Sequence, residues 1–422
     1  MIDRNDCEAL DHSTDRTGDS LAGFSARFAS GPPGTLYLDA NSVGPMPLAA
    51  PEHVGRALDQ GWRVARRRGW NETDWLDQPA ALGASLSRVL GAGAGDVLVA
   101  DSTTINQHKL LHHALGLNSP RNVVVVERDV FPSNRYAAQA AVALRSARLR
   151  DIANAGELGQ ALAAGDVAVV ALSLVDYRSS ARLDLVGLTR LIHAHGALAL
   201  WDLSHAAGAV AVALERAGAD FAVGCGYKYL CGGPGAPAWL YIHPRHAKSA
   251  VWPALAGWMG HADTFAFDPG YRPAEGVLRH QSGTPAVIAN AAMSAAADIW
   301  RDVDPHILDA RHRSLTDLLI RLVDEQCADL GVTVASPREH AKRGGHVTLR
   351  FGEVRGDGDA GALAQALVDA GVVVSSRKPD ALRLAPHPLT ARHVELWDAV
   401  ARLRALLLSG QWRDPRYRRA SV

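Results

Sequence analysis

The chain has 422 residues, 44 basic and 44 acidic side chains and a hydrophobic fraction of 48%. That length exceeds one ordinary domain and suits a large domain with a smaller companion. A formal net charge of zero leaves no general basic surface, which excludes nucleic acid and anionic membrane as first expectations and points to a small molecule in a cleft.

The opening residues are polar and acidic, without the basic start and apolar stretch of a signal peptide. No apolar run reaches the length of a membrane helix. Residues 1–34 read as an irregular arm with one short helix near 21–28. A strand at 36–39 enters a turn-rich stretch, and helices follow near 49–68 and 79–90. From 96 to 242 apolar strands alternate with helices. The strands fall at 97–100, 123–127, 167–174, 198–201, 221–224 and 239–242, the helices near 105–116, 134–144, 185–195 and 208–217. Near-continuous apolar strands between helices predict an α/β fold, a mostly parallel sheet covered on both faces. Such sheets bind ligands at the carboxyl ends of their strands. Residues 243–285 are rich in Gly, Pro and Trp with little periodicity, and a segment that long inside a compact domain is usually functional. A helical stretch at 285–330 precedes a tail read as strand, strand (346–351), helix, strand, strand and helix, ending near Gly410. The predicted division is an N-terminal arm at 1–48, a large domain at 49–300 and a small C-terminal α/β domain at 301–422.

Cys7, Cys225, Cys231 and Cys327 form no CxxC pair, so a disulfide scaffold is not expected and a reducing cytoplasm is. Lysine is scarce: Lys109, Lys228, Lys248, Lys342 and Lys378 are the whole set.

The stretch from 198 to 237 carries the chemistry. Asp202 ends one apolar strand, and Lys228 follows another, between Tyr227 and Tyr229 and ahead of a Gly-rich turn. A lone Asp after a strand is usually a helix cap and a lone Lys is usually solvated. Together, in this order, they match the needs of pyridoxal 5′-phosphate (PLP). A carboxylate keeps the pyridine nitrogen protonated, so that the ring accepts electrons, and a partly desolvated lysine holds the aldehyde as an imine. Asp101, Ser102, Thr103 and Thr104 close a strand and open a helix, which makes an anion site for the phosphate. Phe131 follows another strand and can stack on the ring. Arg383 can pair bidentately with a substrate carboxylate. Three weaker patterns carry nothing. The glycines from 91 to 95 precede their strand, so they make no dinucleotide fingerprint; His108, His112 and His113 lack the Glu of a zincin; Arg66, Arg67 and Arg68 are too short a run for nucleic acid.

The motifs YLDANSVGPMP, WDLSHAAGAV, GYKYLCGGPGAP, LAGWMGH, SGTPAV and RLAPHPL, in this order from about residue 35 to 405, resemble the kynureninase family. The resemblance implies a fold-type-I PLP-dependent transferase-like enzyme with a seven-stranded sheet. It implies a homodimer with sites at the subunit interface, acting in tryptophan catabolism, the kynurenine pathway and NAD biosynthesis. The implied reaction is hydrolysis of the Cβ–Cγ bond of L-kynurenine, or a 3-hydroxy or otherwise substituted form, to an anthranilate and L-alanine. By position, Lys228 carries PLP and later moves the α-proton, and Asp202 meets the ring nitrogen. Phe131 stacks, and His205 lies beside the ring. Thr103, Thr104 and Tyr227 bind phosphate, with Trp258 and Thr284 reaching across from the partner. Tyr227 is also the candidate base for water addition. Arg383 takes the substrate carboxylate, and Asn41, Ser42 and Trp70 border the aryl pocket. No metal is expected.

Departures from the family pattern are Cys231 where Asn is common, Met259 where an aromatic is usual, and Asn134 where FPSNRY replaces FPTD or FPSD. Asn134, counted by position among the cofactor-binding residues, keeps the shape of that second aspartate and loses its charge, so ring-nitrogen protonation would rest on Asp202 alone. The nearest rival is a cysteine desulfurase or aminotransferase of the same fold; a desulfurase would need a mobile nucleophile, and the last cysteine is Cys327, in a predicted helix. A degenerate, non-catalytic PLP-binding protein is the rival from another class.

Overall fold

The computed structural model describes residues 2–16, 22–351, 359–378 and 380–418. Its strands in chain order are β1 (Leu36–Tyr37), β2 (Val97–Val99), β3 (Val123–Glu127), β4 (Arg148–Ile152), β5 (Val167–Ser173), β6 (Leu198–Asp202), β7 (Phe221–Gly224), β8 (Trp239–Ile242), β9 (Val332–Val334), β10 (Val347–Phe351), β11 (Val372–Val373), β12 (Ser375–Arg377) and β13 (Ala381–Leu384). Strands β2 to β8 form a seven-stranded sheet in the order β2-β8-β7-β6-β5-β3-β4. All neighbours along β7-β6-β5-β3-β4 pair in parallel, and β8 runs antiparallel to both β2 and β7.

Alternation along each strand explains the unbroken apolar runs. In β2, Val97 and Val99 join one core while Leu98 joins another; in β3, Val123 and Val125 go one way and Val124 and Val126 the other. Both faces are thus buried under helices, which is the condition under which a parallel sheet needs no polar face. A third core packs helices Pro305–Cys327 and His393–Ser409 onto the four-stranded sheet β12-β13-β10-β9, and takes in Leu36 and Leu38 from the start of the chain.

Several local expectations change. Strand β4 (RLRDI) was not expected; it lies at the sheet edge, where Arg150 and Asp151 face ion-pair partners, not a core. The helix expected at 208–217 is helical only over Leu214–Ala217. Gly208 adopts φ +79 and packs against Trp300 and the Tyr229 backbone, which holds the chain in a turn. The helix expected at 49–68 is Ala50–Arg56 followed by a widened turn over Ala57–Ala65, and it stops at Arg66. The stretch at 285–330 is two helices, Val287–Trp300 and Pro305–Cys327, the second capped by Asp304. After helix Asp359–Asp369 come three short strands, not two. Near the N-terminus a helix spans Arg4–Arg16, within the arm read as irregular; the helix expected near 21–28 is a 3-10 turn over Ala22–Arg27, and Leu21 lies outside the described residues.

Candidate active site

Six strand ends of the large sheet, those of β2 to β7, meet at one cavity of about 520 Å³. Each parallel strand stops at the same edge and its following loop turns inward, so residues far apart in sequence become neighbours. The cavity is lined by Ser102, Thr103 and Thr104 after β2, Phe131 and Asn134 after β3, Tyr177 after β5, Asp202 and His205 after β6, and Tyr227 and Lys228 after β7.

Asp202 is nearly buried and fully engaged. The Ser204 backbone N–H and hydroxyl donate to its Oδ1 over 2.8 and 2.6 Å, and Asn134 Nδ2 donates to Oδ2 over 2.7 Å. Asn134 Nδ2 also lies 3.3 Å from Ser173 Oγ. Asn134 therefore acts on Asp202, fixing the carboxylate through a neutral donor.

Lys228 Nζ lies 3.0 Å from His205 Nε2 and 5.9 Å from the centroid of the Phe131 ring. Burial, then the nearby charges of Lys228 and Arg383, hold His205 neutral, well below its ordinary range. Burial pushes the Tyr227 phenol up to about 12, so near neutral pH it carries a proton to donate. The lysine loop is pinned from the start of the chain: Gly44 N–H donates to Tyr227 O over 2.8 Å, and a Cβ at Gly44 would stand 2.2 Å from Lys228 O. Phe131 immediately precedes Pro132, which opens the helix Pro132–Leu144. With its φ preset, proline suits that first helical position, and the Phe131 ring stays 41% exposed, edge-on to Tyr177.

Thr103 and Thr104 form the first turn of helix Thr103–Leu117, where Ser102 Oγ accepts from Ile105 N over 3.4 Å. Free backbone N–H groups and hydroxyls at such a turn favour an anion.

Arg383 is fully buried, and its bonds go to neutral oxygens: Tyr177 O at 2.9 Å, Ser375 Oγ at 2.8 Å and Ser42 Oγ at 3.4 Å. Among the described residues no carboxylate lies within ion-pair distance. Burial, then neighbouring Arg377, push it down to about 10, still a cation at neutral pH. Beside Ser42, Asn41 is buried with neither amide atom partnered among the described residues. Trp70 packs edge-on to Trp75 beside a separate surface hollow with Trp62 and Arg66, outside the cavity of its own chain. Trp258 and Thr284 are also exposed and outside that cavity.

Sequence reasoning missed Ser204, Ser173, Tyr177, Ser375 and Glu127. Ser204 had a local signal, two residues after a strand-end Asp, where such turns form. Glu127 lines the cavity, and burial, then Asp176, push it up to about 7. The rival nucleophile, Cys327, is buried in the core of the small sheet.

These residues fit PLP: a carboxylate, a lysine, the aromatic rings of Phe131 and Tyr177 and an anion-binding turn all line one cavity. Residues 308–403 match the family model for the kynureninase C-terminal domain. The chain is 39% identical to the kynureninase of Pseudomonas fluorescens over 99% of this chain and 98% of that one. It is 41% identical to the kynureninase of Deinococcus radiodurans over 88% and 90%. Among solved structures it is similar to the cysteine desulfurase CsdA of Escherichia coli (TM-score 0.74, 18% identity, 92% of this chain and 98% of that one). It is also similar to C-DES with glycine covalently linked to its PLP cofactor (TM-score 0.74, 19% identity, 88% and 96%). At such identities the structural likeness shows the shared fold alone.

Proposed function

The chain belongs to the kynureninase family, and from that premise we propose which of its residues carry out the reaction. It is a PLP-dependent hydrolase that cleaves the Cβ–Cγ bond of a kynurenine to give an anthranilate and L-alanine. The observation that carries the residue assignment is the convergence of Lys228 and Asp202 on one cavity; Arg383, buried behind it with no carboxylate partner among the described residues, is bonded to the backbone of the lining residue Tyr177. When bound, PLP supplies an electrophilic carbon and an electron sink for negative charge developing on substrate carbon.

Lys228 would hold the cofactor covalently, and its amine, when free, would move the α-proton. Asp202, held by Ser204 and Asn134, would keep a proton on the ring nitrogen; Phe131 would cover the ring face, and Thr103, Thr104 and Tyr227 would hold the phosphate. Arg383 fixes the substrate carboxylate, since a buried guanidinium without an anion gains most from one. His205, neutral and 3.0 Å from Lys228 Nζ, accepts from the amine and aims it. Tyr227, expected as the base for water addition, holds its proton too firmly for that role, because burial raises it to about 12; it suits donation to oxygen at the γ-carbon instead. Asn41 and Ser42 border the aryl end.

The chain works as a homodimer, with Trp70, Trp258 and Thr284 completing the partner's site. Trp258, Phe265 and Phe267 are exposed and pack edge-on in a row, an apolar cluster that supports a covered face. Four buried thiols, none paired, support a reducing, cytoplasmic setting.

The test is product stoichiometry. PLP-loaded protein given L-kynurenine or its 3-hydroxy form should release the matching anthranilate and L-alanine in equal amounts. Sulfur release from cysteine, or a keto acid in place of alanine, would overturn the assignment.

A further inference from the structure

Asp101 stands immediately ahead of the turn assigned to the cofactor phosphate. Its backbone is left-handed, at φ +49, and its carbonyl accepts from Ala238 N over 2.9 Å. The Asp101 side chain does not line the cavity that Ser102, Thr103 and Thr104 line, but it is joined directly to that turn, so its negative charge, left unpaired, would oppose a phosphate held there. The side chain of Asp101 keeps 26% of its exposure, so water screens it only in part.

Lys109 answers that charge. It projects from the second turn of the helix that Thr103 opens, and its side chain is 0% exposed. Its Nζ lies 2.5 Å from Asp101 Oδ2, 2.6 Å from His280 O and 3.2 Å from Ser282 Oγ. An ammonium has three protons to donate, and all three are used. Lysine is almost never buried without such pairing. The two other partners sit on the loop leading to Thr284, which packs tightly on the Trp258 loop: a Cβ at Gly257 would stand 1.6 Å from Ser282 O.

We propose that Lys109 is a positioning residue for the cofactor phosphate, cancelling the charge of Asp101 and tying the phosphate turn to the Ser282 loop. The proposal rests on Thr103 and Thr104 being the phosphate turn. It touches neither substrate nor reacting atoms, and its effect is on PLP affinity.

The experiment is a charge cycle read by PLP dissociation, with absorbance of the bound cofactor as the signal and thermal melting recorded alongside. Lys109→Met leaves Asp101 uncompensated and should weaken PLP binding about tenfold or more. Asp101→Asn should bind PLP at least as tightly as the wild type. The double variant D101N/K109M, with both charges gone, should regain most of the affinity lost in K109M. A purely structural tie forecasts the opposite, with the double variant no better than K109M, and that result overturns the proposal. If K109M does not fold, Asp101→Asn still decides, since a loss of PLP affinity there overturns it. Thr104→Ala separates the two levels. Weaker PLP binding in T104A with K109M unchanged refutes the role of Lys109 and leaves the phosphate turn standing. No change in T104A refutes the turn itself, and the proposal with it.

Discussion

Replacing Asn134 by Asp tests how the Asp202 carboxylate is held. The amide donates to Asp202 Oδ2 over 2.7 Å, so Asn134→Asp keeps the shape and exchanges a donor for an acceptor. Two carboxylates that close do not both ionise, and one proton stays between them. Keeping a proton on a carboxyl of ordinary pKa, about 3.9, costs about 1.4 kcal/mol for each pH unit above that value. At pH 7 the ceiling is therefore about 4 kcal/mol, a large share of a stability of roughly 5–15 kcal/mol. The sign follows from linkage: the new carboxyl has a folded pKa above its unfolded one, so the penalty is absent below about pH 4 and grows as pH rises. Denaturant unfolding of cofactor-free wild type and variant, from about pH 4 to about pH 8, should show curves that coincide at the acid end and separate steadily above it. Added PLP should stabilise the variant more than the wild type, because a cationic ring nitrogen beside the pair offsets the second negative charge. A stability difference independent of pH would refute the reasoning, because it would mean that the two side chains do not share a proton.

Arg383→Ala should raise KM for kynurenine about tenfold or more with PLP content unchanged, since it removes a charge-assisted pair to substrate and not to cofactor; steady-state kinetics and bound-cofactor absorbance check both halves. Asp11 ties the helix Arg4–Arg16 to the backbone N–H groups of His393 and Val394 and to the His393 ring. Burial opposes its charge, but those bonds win and hold it down at about 2. Its contribution, about 2 kcal/mol, is thus present above about pH 4 and lost as pH falls towards 2. Asp11→Asn should show that loss at neutral pH and match the wild type near pH 2, read by denaturant unfolding. If the sites are shared, light scattering should report a dimer, and mixing Lys228→Ala with Trp258→Ala after joint unfolding and refolding should restore partial activity. An active monomer would contradict this.

The strands of the large sheet were readable because both faces are buried, which leaves runs such as VVVV at 123–126 and VAVVAL at 167–172. Asp202 and Lys228 were readable only as a pair: each alone has an ordinary structural reading, but together, in this order beyond two apolar runs, they match the needs of PLP. The edge strand β4 escaped because its charged residues are satisfied by ion pairs. The helix expected at 208–217 failed for a tertiary reason: Ala and Val there suit a helix, but Gly208 is wedged against Trp300 and Tyr229. Asn134 was legible as a departure but not as the partner of Asp202, because the two are 68 residues apart and meet only when β3 and β6 stop at one edge. The hold of Tyr177 O on Arg383 spans 206 residues and leaves no local pattern.

Lys228 is the residue on which the cofactor assignment turns. Reducing the PLP-loaded protein with borohydride makes the link between lysine and cofactor permanent, and peptide mass mapping then shows which lysine carries it. The label should fall on the peptide containing Lys228 and on no other. Label on Lys109, or on any of the remaining lysines with Lys228 unmodified, would contradict the account.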